Sequence, residues 1–147
     1  MTAQDWMREA LKEAQLALEQ GEIPVGAVVV RDGELIARAH NEREESRDPT
    51  AHAELLALRR ASQCLGDWRL QGCTLYVTLE PCPMCSGAIT MSRLSRVVFG
   101  AFDPQAGCCG STCDLCSGDY GPGCAVVGGL MAEECSALLE GFFHTKR

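Results

Sequence analysis

The amino-acid sequence predicts a three-layer α/β/α sandwich, a central mixed five-stranded sheet with helices on both faces. Three features carry that reading. An amphipathic helical stretch opens the chain and runs into a β-hairpin signature, a strand–helix–strand run occupies the middle, and a short β-prone stretch precedes a last amphipathic helix. With 147 residues, 46% of them hydrophobic, the chain can bury one core, and a single domain over residues 1–147 is expected.

In the first element, Trp6, Met7, Ala10, Leu11, Ala14, Ala17 and Leu18 recur at helical spacing until Gly21 ends the run. Residues 25–31 and 34–40 flank Asp32-Gly33, a pair suited to a two-residue type I′ turn, and so form a hairpin. Residues 41–50 make a charged loop. Asp48-Pro49-Thr50 then announces a helix over residues 51–64, with Thr50 as candidate N-cap and Leu55, Leu56 and Leu58 as its buried stripe. Residues 73–79 are strongly β-prone and Pro81 stops them. A helix over residues 83–94 and a strand over 96–100 complete a βαβ unit, whose strands run parallel. Residues 103–123 are rich in Gly and Cys and read as surface loops or a short helix. Residues 125–127 suit an edge strand, and residues 132–143 a final helix ahead of the basic Lys146-Arg147.

No run has the length or apolarity to span a bilayer, and no basic cluster precedes an apolar block at the N-terminus. Neither a membrane anchor nor a signal peptide is expected, and a cytoplasmic location follows. The ten cysteines cluster in CxxC spacings within a chain that has an adequate core, which favours reduced thiols over a disulfide framework. A net charge of −7 argues against a strongly basic nucleic-acid binder, although residues 51–100 carry 5 basic and 3 acidic side chains.

The chemistry resides in two short motifs. Pro81-Cys82-Pro83-Met84-Cys85 places two thiols three residues apart after a strand, where the start of a helix would bring them to one metal ion. Pro83 suits the first helical turn, and the positive end of the helix favours the thiolates. His52 is the candidate third ligand, which leaves a fourth zinc position for water. Glu54, two residues on, supplies a carboxylate able to take and pass on a proton from that water. On an ideal helix, residues two apart diverge by about 200°. Convergence of His52 and Glu54 therefore requires the site to sit over the helix start. Taken singly, such a His, Glu or CxxC has ordinary capping, core or redox roles. Together, H-x-E followed by P-C-x-x-C after a strand matches the signature of zinc-dependent base deaminases.

Almost from end to end, the chain resembles the bacterial tRNA adenosine deaminases. The resemblance lies in GEIPVGAVVV (21–30), AHN (39–41), DPTAHAE (48–54), RLQGCTLYVTLEPCPMCSGAI (69–89), RVVFGAFD (96–103) and LLEGFFHTKR (138–147). It implies a cytidine deaminase-like fold, one Zn2+ per subunit, a homodimer, and the anticodon stem-loop of a tRNA as partner. The implied reaction is hydrolytic conversion of adenosine to inosine at the wobble position, by zinc-activated water with Glu54 as proton shuttle. His52, Cys82 and Cys85 are the implied metal ligands. Asn41, Ala53, Asp103 and Phe143 match substrate-binding positions, with the tail arginine near the RNA.

The sequence departs from the family where an Asn-His pair usually precedes the last strand. Ser117–Gly123 stands there instead, and Cys108-Cys109 replaces small residues. Two alternatives stay open. PCPMC also resembles small guanine deaminases, which keeps a free-base or nucleoside deaminase in view. A structural zinc module of Cys82, Cys85, Cys113 and Cys116 would leave His52 and Glu54 without a role. Otherwise Cys108, Cys109, Cys113 and Cys116 are loop thiols or a secondary metal or redox site.

Overall fold

Burial is nearly continuous along the central β-prone runs, and because successive side chains point to opposite sides the sheet has two apolar faces, each covered by helices. In the computed structural model, which describes residues 1–145, the elements are α1 (Ala3–Glu19), β1 (Gly26–Arg31), β2 (Glu34–His40), α2 (Arg43–Ser46), α3 (Ala53–Leu65), β3 (Cys73–Leu79), α4 (Pro83–Met91), β4 (Arg96–Ala101), β5 (Ala125–Gly128) and α5 (Ala132–Thr145). The strand order is β2-β1-β3-β4-β5. β1 pairs antiparallel with both β2 and β3, whereas β3–β4 and β4–β5 are parallel. This is the expected mixed sheet.

Val28 and Val30 of β1, Tyr76 of β3 and Val98 of β4 pack with Trp6, Met7 and Ala10 of α1 and Cys135 of α5. The intervening residues Ala27, Val29, Leu75, Val77, Val97 and Phe99 point to the opposite face, against Leu56, Ala57 and Ala61 of α3 and Ile89 of α4. α1 lies so close to β1 that a Cβ at Gly26 would run into the Ala10 carbonyl. The start of α1 is fixed by a capping box, in which Thr2 Oγ1 accepts from the Asp5 N–H and the Asp5 carboxylate accepts from the Thr2 N–H.

The hairpin turns at Asp32 and Gly33, both at positive φ, as the type I′ expectation requires. Several boundaries differ from those read in the sequence. Thr50 does not cap α3: its N–H and hydroxyl both donate to Asp48 Oδ1, closing a local turn around Pro49, and the N-cap is His52. α4 ends at Met91 rather than continuing to residue 94, because Arg93 takes positive φ and the Ser92 carbonyl turns out to accept from the Leu70 N–H. The charged loop contains a short helix, α2, that sequence reading did not anticipate. Helix α5 runs to Thr145, and the tail of Lys146 and Arg147 lies outside the described residues.

The expectation of reduced cysteines needs one correction. Cys108 and Cys113 are joined in a disulfide, their Cα atoms brought to 4.5 Å by the turn between them, while the other eight cysteines are free.

Candidate active site

Two helix starts meet at one point on the α3/α4 face. His52 and Cys82 are both N-cap residues with extended backbone, at φ/ψ of −79°/148° and −75°/175°. Because His52 precedes the helix, it escapes the divergence that an ideal helix would impose, and Glu54 in the first turn of α3 can share a cavity with it. Pro83 occupies the start of α4, and Cys85 follows in the same turn as Cys82.

The Cys82 and Cys85 sulfurs lie 3.7 and 3.6 Å from His52 Nδ1. One ligand atom from each residue falls within 4.8 Å of the other two. Zinc bonds of about 2.3 Å to sulfur and about 2.05 Å to nitrogen, at a tetrahedral angle, separate S and N by ~3.6 Å. The donor set therefore fits zinc both in chemistry and in spacing.

The electrostatics suit a cation as well. The Cys85 thiol, followed by His52, brings Cys82 down to about 4 despite its burial, while the shared hydrogen bond and burial push Cys85 up. The contact with Cys82 raises His52. Burial pushes the Glu54 carboxyl, only 4% exposed, up to about 7.

Around these groups lies a cavity of about 160 Å³, with Ile23, Val25 and Leu79 as apolar walls and Asn41, Arg43 and Asp103 at its polar rim. Asn41 Oδ1 accepts from the Ala53 N–H at 2.8 Å, so this asparagine caps α3 while lining the cavity. Ala53 is fully buried beneath it. Asp103 forms its own turn, its Oδ1 accepting from the N–H groups of Gln105 and Ala106. Phe143 stands apart from this cavity, half exposed, in an adjoining cavity of about 490 Å³. The two cavities share Ile23, Asn41 and Arg43.

Comparison with known proteins agrees with this geometry. The MafB19-like deaminase family profile matches residues 1–119. A tRNA-specific adenosine deaminase of Bacillus subtilis (strain 168) is 52% identical over 143 residues, which cover 97% of this chain and 89% of the relative. The chain belongs to the tRNA-specific adenosine deaminase family. A solved structure from studies of A-to-I editing by tRNA:A34 deaminases at the wobble position of transfer RNA aligns with a TM-score of 0.89 at 43% identity, covering 92% of this chain and 99% of that one. A guanine deaminase from Bacillus subtilis, 42% identical, aligns with a TM-score of 0.67 over 69% of this chain and 66% of its own.

Two residues of this deaminase's site went unread in the sequence. Arg43, exposed in α2, lines both cavities; its only sequence signal was a place two residues after Asn41 in a charged loop. Glu80 is 1% exposed and organises the wall opposite. Its carboxylate accepts from the N–H groups of Asp103 at 3.0 Å, Cys109 at 3.1 Å and Ser111 at 3.0 Å, and from the Ser111 hydroxyl. Burial pushes Glu80 up, but these donors outweigh it and leave the carboxyl below its usual range. A carboxylate directly before Pro81-Cys82 was the available signal.

Proposed function

We propose that the chain, as one catalytic domain, converts adenosine to inosine at the wobble position of a tRNA anticodon, with the release of ammonia. The observation that carries this reading is the 52% identity to a tRNA-specific adenosine deaminase over 97% of the chain, with the His52, Cys82, Cys85 and Glu54 constellation intact. The guanine deaminases that align do so over less of the chain, 42% identical over 69%, or at lower identity, 27% over 96%, which makes a free-base enzyme the weaker reading.

His52, Cys82 and Cys85 would hold one zinc ion per chain, and zinc supplies the Lewis acidity that makes a water nucleophilic near neutral pH. Glu54 takes a proton from the attacking water and delivers it to N1 of the purine as the C6–O bond forms. A second proton passes through the same carboxylate to the leaving amine, so that adenosine and water become inosine and ammonia. Asn41 and Asp103, which line the cavity, would meet the polar edges of the base. Ala53 contributes backbone next to Glu54. A cavity of about 160 Å³ suits a single flipped-out base, and the adjoining cavity with Arg43 and Phe143 suits the neighbouring nucleotides. The location would be the cytoplasm; among the described residues no helix is long and apolar enough to cross a membrane.

The decisive assay incubates the zinc-loaded protein with a short anticodon hairpin carrying adenosine at the wobble position. Inosine is expected at that position alone. Deamination of free guanine or cytosine without inosine in any hairpin would replace this reading with the free-base one.

A second copy of the chain is the remaining partner. An open, largely apolar cavity of about 630 Å³ between α3 and α4 includes Leu55, Trp68, Ala88 and Met91. Trp68 is 52% exposed and Met91 71%, and Arg69 and Arg93 lie over the Trp68 ring at 4.6 and 5.6 Å. Covering this surface would remove apolar area from water next to both helices that carry the site. Light scattering should return the mass of a dimer, and Met91→Lys should shift it to a monomer; a monomeric wild-type protein at micromolar concentration would exclude this arrangement.

A further inference from the structure

The segment from Asp103 to Cys124 crosses behind the metal-ligand turn and holds five cysteines, none of which the deamination uses. Cys108 and Cys113 are already bridged. Two others, Cys109 and Cys116, are 8% and 1% exposed, and their sulfurs lie 3.8 Å apart. Both thiols converge on Ser86, the residue after Cys85. The Ser86 hydroxyl donates to the Pro81 carbonyl and sits 3.5 Å from the Cys109 sulfur, while the Cys116 thiol approaches the Ser86 carbonyl at 3.9 Å. The Cys109 N–H, in turn, donates to Glu80. The pair therefore meets both flanks of the Pro81–Cys85 turn, Ser86 through the two thiols and Glu80 through the Cys109 N–H.

A spacing of 3.8 Å also matches an edge of a tetrahedral thiolate site. A metal, however, needs further ligands. Among the described residues His52, Cys82 and Cys85 form the only group of three or more donor atoms close enough to hold an ion, so Cys109 and Cys116 stand as a pair. Two thiols whose sulfurs lie 3.8 Å apart, on a loop that already carries one disulfide, need only a short approach to bond to each other.

We propose that Cys109 and Cys116 are an oxidisable couple that closes to a disulfide when the protein meets a hydroperoxide. The Cys109 thiolate attacks one peroxide oxygen, the O–O bond breaks and a sulfenic acid forms as hydroxide leaves. The Cys116 thiolate then attacks the Cys109 sulfenic sulfur, the S–O bond breaks, the transferred oxygen leaves as hydroxide and the S–S bond forms. In total, two thiols and one hydrogen peroxide give one disulfide and two waters: the sulfurs are oxidised by two electrons and the peroxide is reduced. A bonded distance of about 2.05 Å replaces the present contact. Closure removes both S–H groups from Ser86 and constrains Cys109, whose N–H bonds the carboxylate that also holds the Asp103 N–H. A thiol reductant reverses the change.

The test uses the zinc-loaded full chain, in which Cys82 and Cys85 are occupied by the metal. After brief treatment with hydrogen peroxide, the unfolded protein is alkylated, digested and mapped by mass spectrometry. The expected result is the loss of two alkylatable thiols per chain, a cross-linked peptide joining Cys109 to Cys116, and recovery of both thiols with dithiothreitol. Cys109→Ser and Cys116→Ala should each abolish the cross-link: Cys109→Ser leaves Cys116 alkylatable, and Cys116→Ala leaves Cys109 as a sulfenic acid that dithiothreitol returns to the thiol. The inference is overturned if both thiols of the wild-type protein stay alkylatable after peroxide, if Cys109 or Cys116 cross-links elsewhere instead, or if the untreated protein carries a second zinc that Cys109→Ser removes. Each readout is independent of substrate, so failure of the deaminase reading and failure of this one are separable.

Discussion

Glu54→Ala is expected to retain one zinc per chain and to lower ammonia release from the anticodon hairpin by about 10²–10⁴-fold, the usual worth of a positioned general acid–base. Glu54 lines the same cavity as His52 and Cys82 yet is not needed to complete the three-residue donor set. Its removal therefore separates metal binding from proton transfer. Glu54→Gln is the sharper control, since it keeps the size of the side chain and its capacity to hydrogen-bond but cannot carry a proton. A Glu54→Gln protein working at the wild-type rate would remove the carboxylate from the mechanism. The measurements are zinc by atomic absorption and ammonia by a coupled assay on the same sample.

Stripping the metal should have an effect at least as large. Chelation, or Cys85→Ser, is expected to take zinc content and ammonia release to background and to lower the unfolding temperature. A ligand present at a thousandfold over its dissociation constant contributes about 4 kcal/mol to stability. For a domain of this size each kcal/mol moves the midpoint by about 2–4 °C, so a fall on the order of 10 °C is expected. Returning zinc to the chelated protein should restore both properties, whereas Cys85→Ser should regain neither. Full activity in a chelated protein shown to contain no zinc would contradict the assignment.

The sheet, its hairpin and the βαβ crossover were legible because each rests on a local signal: β-prone apolar runs, an Asp-Gly pair suited to a tight turn, proline after a strand. The identity of the metal donors was legible for the same reason, since the spacing of Cys82 and Cys85 and the placement of His52 beside Glu54 are written in short motifs. The cap of α3 was misread. Thr50 is a good N-cap by composition, but Asp48, two residues earlier, captures both its N–H and its hydroxyl, and a competition between two short polar side chains leaves no periodic trace. Arg43 and Glu80 were unread because their importance comes from residues distant in sequence: Glu80 gathers donors 23 to 31 positions away. The Cys108–Cys113 bridge escaped notice because composition reports how many thiols there are and not which turn brings two together.

The bonding of Glu80 bears on how this chain could diverge from its relatives without losing the site. Every donor it collects lies at Asp103, Cys109 or Ser111, and a Cβ on Gly107 would collide with its carboxylate. Within this segment, selection on the catalytic wall thus falls on a few backbone N–H groups, one hydroxyl and one missing side chain. A backbone donor is indifferent to the residue that bears it, so a cysteine at position 109 serves as well as a small residue. Beyond Ser111 the chain is released from that anchor. It is there, from Thr112 to Gly123, that the sequence holds further cysteines and glycines.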